Sequence, residues 1–299
     1  MLGSRSMVSP EVPTTFAVGG ETVIRRLGFG AMRITGKGTW GPPADPDAAV
    51  ALLRRVVECG VQLIDTADTY GPDVSEELIA EALYPYDGLL IATKGGFERT
   101  GPSGRTKDGE LVGWSHKARP EQLKAACEGS LRRLKVDRID LYQLHWPDPD
   151  VPLEESIGAM RDLQAEGKVL HVGVCNVTIE QLATARSIVD IATVQCPFNL
   201  VDASRADLVA ECEAHGMGFM PYRPLEGGQL AEPGGPVAAA ATRHGATPGQ
   251  VALAWLLWRS PVILPIPGTT SAAHLEENVA AGSLRLDDDE LQAIGSAAG

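Results

Sequence analysis

The chain has 299 residues, 44% of them hydrophobic and 22% charged. A globular chain of that size buries roughly three quarters of its unfolded surface, which excludes whole-chain disorder. Glycine and proline together make up less than a fifth of the residues, short of the ~25–30% of low-complexity sequence, and no run of ~18 apolar residues occurs, so neither a fibrous protein nor a transmembrane helix is expected. A net charge of −13 repels nucleic acid and anionic membranes at long range. Neither is an expected partner, and any phosphate on a ligand must be held by local donors.

In chain order, residues 1–14 carry one arginine and no apolar core of a secretory signal, and read as a flexible extension. Thr15–Val18 and Thr22–Ile24 flank Gly19-Gly20-Glu21, the pattern of a β-hairpin. From Leu27 onward short apolar runs alternate with amphipathic stretches. LGFGA, VQLID, LLIATK, IDLYQL, LHVGVC, IATVQ, GMGFMPY and PVILPIP read as eight buried strands. Between them, Ala49, Leu52, Leu53, Val56 and Val57 form a helical stripe after the cap-like Asp45-Pro46, with similar stripes over Pro120–Leu134, Leu153–Gly167, Ile179–Ile188 and Thr247–Trp258. Eight strand-helix alternations predict parallel strands with crossover helices, closed into a (β/α)8 TIM barrel; a doubly wound open sheet is the alternative. No linker divides residues 15–299, so one barrel domain is expected. Gly95–Arg119 is polar and turn-rich, contains Arg99, Arg105 and Lys107, and reads as a long loop able to act as a flap over a ligand.

The five cysteines, Cys59, Cys127, Cys175, Cys196 and Cys212, have no paired spacing. That usage points to a reducing, cytoplasmic location and excludes a disulfide framework and a structural zinc site. The histidines show no metal-binding arrangement, so no metal is expected. Gly30 through Lys37 is one residue too long for a P-loop and lacks its hydroxyl residue.

In a closed barrel, reacting groups project from the C-terminal strand ends. Those ends carry Asp65, Lys94, His145, Cys175-Asn176, Gln195 and Tyr222, with Tyr70 just beyond the second strand. Taken singly, Asp65 is equally a helix cap, Lys94 a snorkelling cation and His145 a core histidine. Together on three consecutive strands ~4.8 Å apart they converge on one mouth. A lysine buried there needs the Asp65 carboxylate, and its ammonium is expected to lower the Tyr70 pKa from ~10 toward neutral pH.

These segments resemble the aldo-keto reductases. The resemblance rests on LIDTADTYG at Leu63–Gly71, IATKGG at Ile91–Gly96, LYQLHWPD at Leu141–Asp148, GVCN at Gly173–Asn176, VQCPFNL at Val194–Leu200, LPIPGTT from Leu264 and LEEN ending at Asn278. It covers Leu27 to about Leu291. GPPADPDAAV, ALYPY and ATPGQVALAWLL are similar to the subgroup that includes bacterial pyridoxal reductases.

The resemblance implies reduction of a small aldehyde or ketone, pyridoxal among the candidates, with a nicotinamide cofactor. It implies Tyr70 as general acid, Lys94 paired with Asp65 in support, and His145 orienting the carbonyl. Trp40, Phe97 and Trp146 become candidate substrate walls, each equally readable as packing. For the cofactor it implies contacts from Ala31, Met32 and Asp65, and Asn176 and Gln195 on the carboxamide, with Cys175 where serine is commoner. Tyr222 is implied to stack on the ring, with Arg223 and Leu225 following it. Gly268, Thr269 and Thr270 fall at the phosphates, and His274, Glu277 and Asn278 at the adenine end. NADPH is the expected cofactor, with NADH as the alternative. Two positions where relatives carry a cation for the 2′-phosphate read Gly268 and His274, and Arg223 is the candidate replacement charge. A secondary-metabolite ketoreductase and a cofactor-binding regulatory barrel without turnover are the competing functions. Oligomeric state is not legible.

Overall fold

The computed structural model describes residues 13–105, 111–232 and 237–298. Most of the extension expected over residues 1–14 falls outside these, as does Lys107. The expected hairpin is present: β1 (Thr15–Val18) pairs antiparallel with β2 (Thr22–Arg25). Its apolar residues Val18 and Ile24 pack with Leu63, Leu90, Leu141, Met220 and Leu264 and plug one end of the barrel.

The barrel wall contains β3 (Phe29–Gly30), β4 (Leu63–Asp65), β5 (Leu90–Gly95), β8 (Ile139–Leu144), β9 (Val169–Cys175), β10 (Ile191–Pro197) and β11 (Gly218–Tyr222), all parallel and hydrogen-bonded in the order β11-β10-β9-β8-β5-β4-β3. The eighth expected strand, PVILPIP, closes the gap without forming a regular strand. On one side Phe219 N donates to Val262 O at 2.8 Å and Leu264 N to Phe219 O at 2.7 Å. On the other, Gly28 N donates to Pro265 O at 2.9 Å and Gly30 N to Pro267 O at 3.3 Å. Pro261, Pro265 and Pro267 have no N–H, so a two-sided ladder cannot form there although the segment occupies the strand position.

Five helices fall on the expected stripes: α1 (Pro46–Glu58), α3 (Pro120–Leu134), α4 (Leu153–Ala165), α5 (Ile179–Arg186) and α8 (Pro248–Arg259). Five more, outside those stripes, are α2 (Val74–Leu83), α6 (Ala206–His215), α7 (Ala238–His244), α9 (Ala272–Ala280) and α10 (Asp288–Ala298). Asp45 caps α1 by accepting from Ala48 N at 2.9 Å, with Pro46 at the first helical position. Ile64, Ile91 and Val194 face these helices, and their strand neighbours, one residue away, face the barrel axis.

The long segment after β5 departs from expectation. It is an antiparallel hairpin, β6 (Phe97–Arg105) with β7 (Leu111–His116), in the register Phe97 to His116 and Arg99 to Trp114. Its aromatic residues pack on one another: Phe97 lies 5.7 Å from Trp114 and 4.7 Å from His116, ring centre to ring centre. Such cross-strand aromatic pairs stabilise a two-stranded ribbon that its polar composition alone conceals.

Among the described residues, no helix is long and apolar enough to cross a membrane, and no group of His, Cys, Asp or Glu is arranged to hold a metal.

Candidate active site

The side chains that point down the barrel axis change from apolar to polar along each strand. Leu63 is followed two residues later by Asp65, Leu90 and Ala92 by Lys94, and Leu141 by Gln143. The period-2 alternation of a strand therefore places a carboxylate, an ammonium and an amide at one level above an apolar layer. Thr193 and Gln195 of β10 join that level after an irregularity in register between Ile191 and Thr193.

Lys94 is completely buried, and its ammonium has three partners for its three hydrogens. Nζ donates to Asp65 Oδ2 at 2.7 Å, to the Thr66 carbonyl at 2.8 Å and to the Tyr70 phenol oxygen at 3.3 Å. The other Asp65 oxygen accepts from Gln195 Nε2 at 2.9 Å and Gln143 Nε2 at 3.3 Å. A buried ion pair is tolerable only when its remaining lone pairs and protons are matched in this way. Burial alone pulls the Lys94 pKa down, but Asp65 and Tyr70 more than offset it and the net shift is upward. The lysine is a fixed cation.

Tyr70 sits in the turn between β4 and α2. The next residue, Gly71, has φ +108°, and a Cβ there would stand 2.4 Å from Val74 Cβ, so the turn that presents the phenol requires glycine. The expected fall in the Tyr70 pKa does not occur. Burial dominates and holds it up at about 12, while Lys94 pulls the other way. The phenol is protonated throughout the neutral range.

His145 follows β8, its N–H bound to the Gly95 carbonyl at 2.8 Å. Its ring meets Tyr70 edge to face with centres 6.0 Å apart, and Nδ1 lies 3.4 Å from Thr69 Oγ1. Burial, reinforced by Lys94 and Arg99, holds its pKa well below 6.5, so the imidazole is neutral. The four groups expected to converge thus occupy one mouth of the barrel. Phe97 lies 5.5 Å from His145 and 5.8 Å from Trp146, and Trp114 6.0 Å from His145, ring centre to ring centre. Trp40 pairs through its backbone with Gly71. Of the candidate walls, Phe97 is buried, whereas Trp40 and Trp146 are each 38% exposed.

The candidate cofactor residues line the same end. Asn176, at φ +58°, bridges three strands: its Nδ2 donates to the His145 carbonyl at 3.0 Å, and its Oδ1 accepts from Tyr222 OH at 2.8 Å. Gln195 is turned toward Asp65 rather than outward. Cys175 is buried, and burial raises its thiol pKa well above normal, which disfavours the thiolate. Ala31 is buried and Met32 exposed in the short turn after β3, and Leu225 is half-buried beyond Tyr222. Arg223 does not stand free as a replacement charge, since it pairs with Glu226 at 3.1 Å.

After the eighth barrel segment, Gly268, Thr269 and Thr270 lead into Ser271, which caps α9 by accepting from His274 N. The Thr269 hydroxyl oxygen accepts from Ser271 N at 3.0 Å. His274 and Glu277 are exposed on α9, and Asn278 is buried. Backbone and hydroxyl donors at a helix start suit a phosphate, so the donor set fits a dinucleotide. One cation here was not singled out from the sequence. The stem of Arg33 runs beside Gly268, with Arg33 Cγ 3.8 Å from where a Cβ would stand. Only folding reveals that neighbour, because 235 positions of sequence separate the two residues.

This is the architecture of a nicotinamide-dependent barrel reductase, and residues 26–298 match the model of the Aldo/keto reductase family. The chain belongs to that family, whose members act on small carbonyl compounds, and is an NAD(P)H-dependent oxidoreductase. It is 42% identical over 290 residues to a pyridoxine 4-dehydrogenase of Escherichia coli, covering 94% of this chain and 96% of that one. It is 44% identical over 270 residues to an uncharacterised oxidoreductase of Schizosaccharomyces pombe, covering 90% and 85%. Among solved structures, an aldo/keto reductase from Klebsiella pneumoniae in complex with NADP and acetate superposes with a TM-score of 0.78 at 29% identity, covering 95% of each chain. A glycerol dehydrogenase from Gluconobacter oxydans gives 0.83 at 28% identity, covering 95% of this chain and 94% of that one.

Proposed function

We propose that the enzyme reduces a small aldehyde to its alcohol with NADPH, that pyridoxal is a substrate, and that Tyr70 is the proton donor. The observation that carries the reading is the commitment of all three Lys94 hydrogens, one of them into the Tyr70 oxygen. With Lys94 as donor in that contact, the phenol hydrogen is free to point at a carbonyl oxygen. When bound, NADPH supplies the hydride to the carbonyl carbon. As the oxygen gains charge, Tyr70 transfers its proton to it, and Lys94 stabilises the phenolate left behind. In the tautomer whose Nδ1 accepts from the Thr69 hydroxyl, neutral His145 offers an Nε2–H to the same oxygen and orients it. The phenolate regains a proton from solvent.

Asn176 and Tyr222 would hold the nicotinamide end, with Gln195 fixing Asp65 beside it and Ala31, Met32 and Leu225 around it. Gly268, Thr269, Thr270 and Ser271 would hold phosphate, and His274, Glu277 and Asn278 the adenine end. Arg33, whose stem passes beside Gly268, would supply the cation that Gly268 does not, and this supports the choice of NADPH. The choice of pyridoxal is supported by the pyridoxine 4-dehydrogenase relative, matched along nearly its whole length. The test is loss of the NADPH absorbance band on adding pyridoxal to purified protein, with a panel of other aldehydes and ketones alongside. Pyridoxal-dependent oxidation is expected. Turnover only of other carbonyls would remove pyridoxal, and turnover of none would favour the regulatory barrel.

A further inference from the structure

Arg99 stands on the hairpin over the site, in a setting that reduction of a plain aldehyde does not require. Phe97 and Arg99 are two residues apart on β6 and so share a face of the ribbon; their cross-strand partners are His116 and Trp114. Phe97 rests on His145 and Trp146, so this face is the one turned to the barrel mouth. The Arg99 guanidinium lies 4.0 Å above the Trp114 ring centre and 5.7 Å from that of Trp40. The guanidinium is thus held against aromatic rings, which leave its N–H edge for recognition.

Two of its three nitrogens are satisfied internally. Nε donates to Gly113 O at 3.1 Å and Gly101 O at 3.2 Å, and Nη2 to Gly101 O at 2.8 Å and Gly38 O at 2.9 Å. Nη1 is buried and has no partner, although Arg99 as a whole is only 7% exposed. On the same face His116 Nδ1 is also buried without a partner. Buried donors of a cation are costly to leave unmet, and here the unmet groups cluster beside a candidate substrate wall rather than in the core. No carboxylate is paired with Arg99 among the described residues, in a protein of net charge −13.

We infer that Arg99 is a specificity residue whose Nη1 receives an anionic oxygen of the substrate, so that the preferred substrates are ring aldehydes carrying a phenolate or carboxylate. This rests on the reductase reading above. The guanidinium is pre-organised by its carbonyl ties and ring stack, so little side-chain entropy remains to be lost when the anion binds.

The test compares kcat/KM for 4-carboxybenzaldehyde with that for 4-methylbenzaldehyde, at fixed ionic strength, in the wild type, Arg99→Gln and Arg99→Lys. The ratio of the two values is expected to fall at least tenfold in Arg99→Gln, through KM for the anionic aldehyde, and by less in Arg99→Lys, which keeps the charge. A general loosening of the hairpin lowers both values and cancels in the ratio, so an unchanged ratio overturns the inference. Calorimetric binding of the two aldehydes to NADP⁺-loaded wild type needs neither turnover nor a variant. The carboxylate is expected to bind at least tenfold more tightly, with the advantage shrinking as salt is added. Equal binding overturns the inference even if reductase activity is present. Preferential carboxylate binding without turnover would instead uphold it and sink the reductase reading.

Discussion

The ammonium of Lys94 lies 3.3 Å from the phenol oxygen of Tyr70, and the hydrogen between them belongs to the lysine. The same ammonium is held at 2.7 Å by Asp65. It therefore has no freedom to retreat as charge develops on Tyr70, and stabilises phenolate without reorganising. Tyr70→Phe keeps the ring and its packing while deleting the proton. Its kcat for aldehyde reduction is expected to drop by roughly 10²–10⁴-fold, with NADPH affinity and Tm close to wild type. Full activity in steady-state assays of Tyr70→Phe would assign the proton to another group.

Removing Lys94 tests the pair from the other side. Lys94→Met leaves the Asp65 carboxylate buried with only the Gln143 and Gln195 amides, and breaking one half of a buried ion pair costs about 3–5 kcal/mol. Asp65→Asn together with Lys94→Met removes both charges and should recover part of that loss. Denaturant titrations of the singles and the double read this directly. Additive losses would mean that the two charges do not depend on each other.

The pH profile of reduction follows from the two shifted groups. A general acid works while protonated, below its own pKa, and burial holds Tyr70 at about 12. His145 donates its N–H while neutral, above its own pKa, which burial holds well below 6.5. The rate of aldehyde reduction at saturating substrate is therefore expected to stay flat from about pH 6.5 to 9. An acid limb centred near 6.5 would mean that His145 titrates as if exposed to solvent.

Much of the site was legible because strand parity is legible. Asp65 and Lys94 each follow an apolar residue two positions earlier on the same strand, Leu63 and Ala92, and the period of two fixes that the polar group points the same way. The helix stripes and the α1 cap followed from equally local rules. What escaped depends on distance through space. The rise in the Tyr70 pKa is a burial effect, and one sequence does not reveal how completely the folded barrel buries the phenol. In the sequence Arg99 is one of three basic residues of a polar flap, and nothing there shows that Trp40 and Trp114 lie against it. The eighth wall segment is apolar like a strand, yet its prolines deny it half a ladder.

A final prediction concerns the far end of the chain. Asp287 and Glu290 cap α10 reciprocally: Asp287 N donates to Glu290 Oε2 at 2.9 Å, and Glu290 N to Asp287 Oδ1 at 2.8 Å. Glu290 also accepts from Arg243 Nε at 2.8 Å and from His244 Nε2 at 2.9 Å, which ties α10 to α7. Burial alone pushes its pKa up, but these hydrogen bonds outweigh it and bring the carboxyl from 4.5 down to about 2. A carboxylate with a depressed folded-state pKa contributes stability that is complete above 4.5 and lost as pH falls through 2. Glu290→Gln should therefore lower Tm at pH 7, and the gap from wild type should close as pH is taken from 4.5 toward 2. Thermal melts of both proteins across that range would show it. A gap that stays constant down to the acid end would mean that α10 is held by its own buried Leu291 and Ile294 rather than by the charged clip.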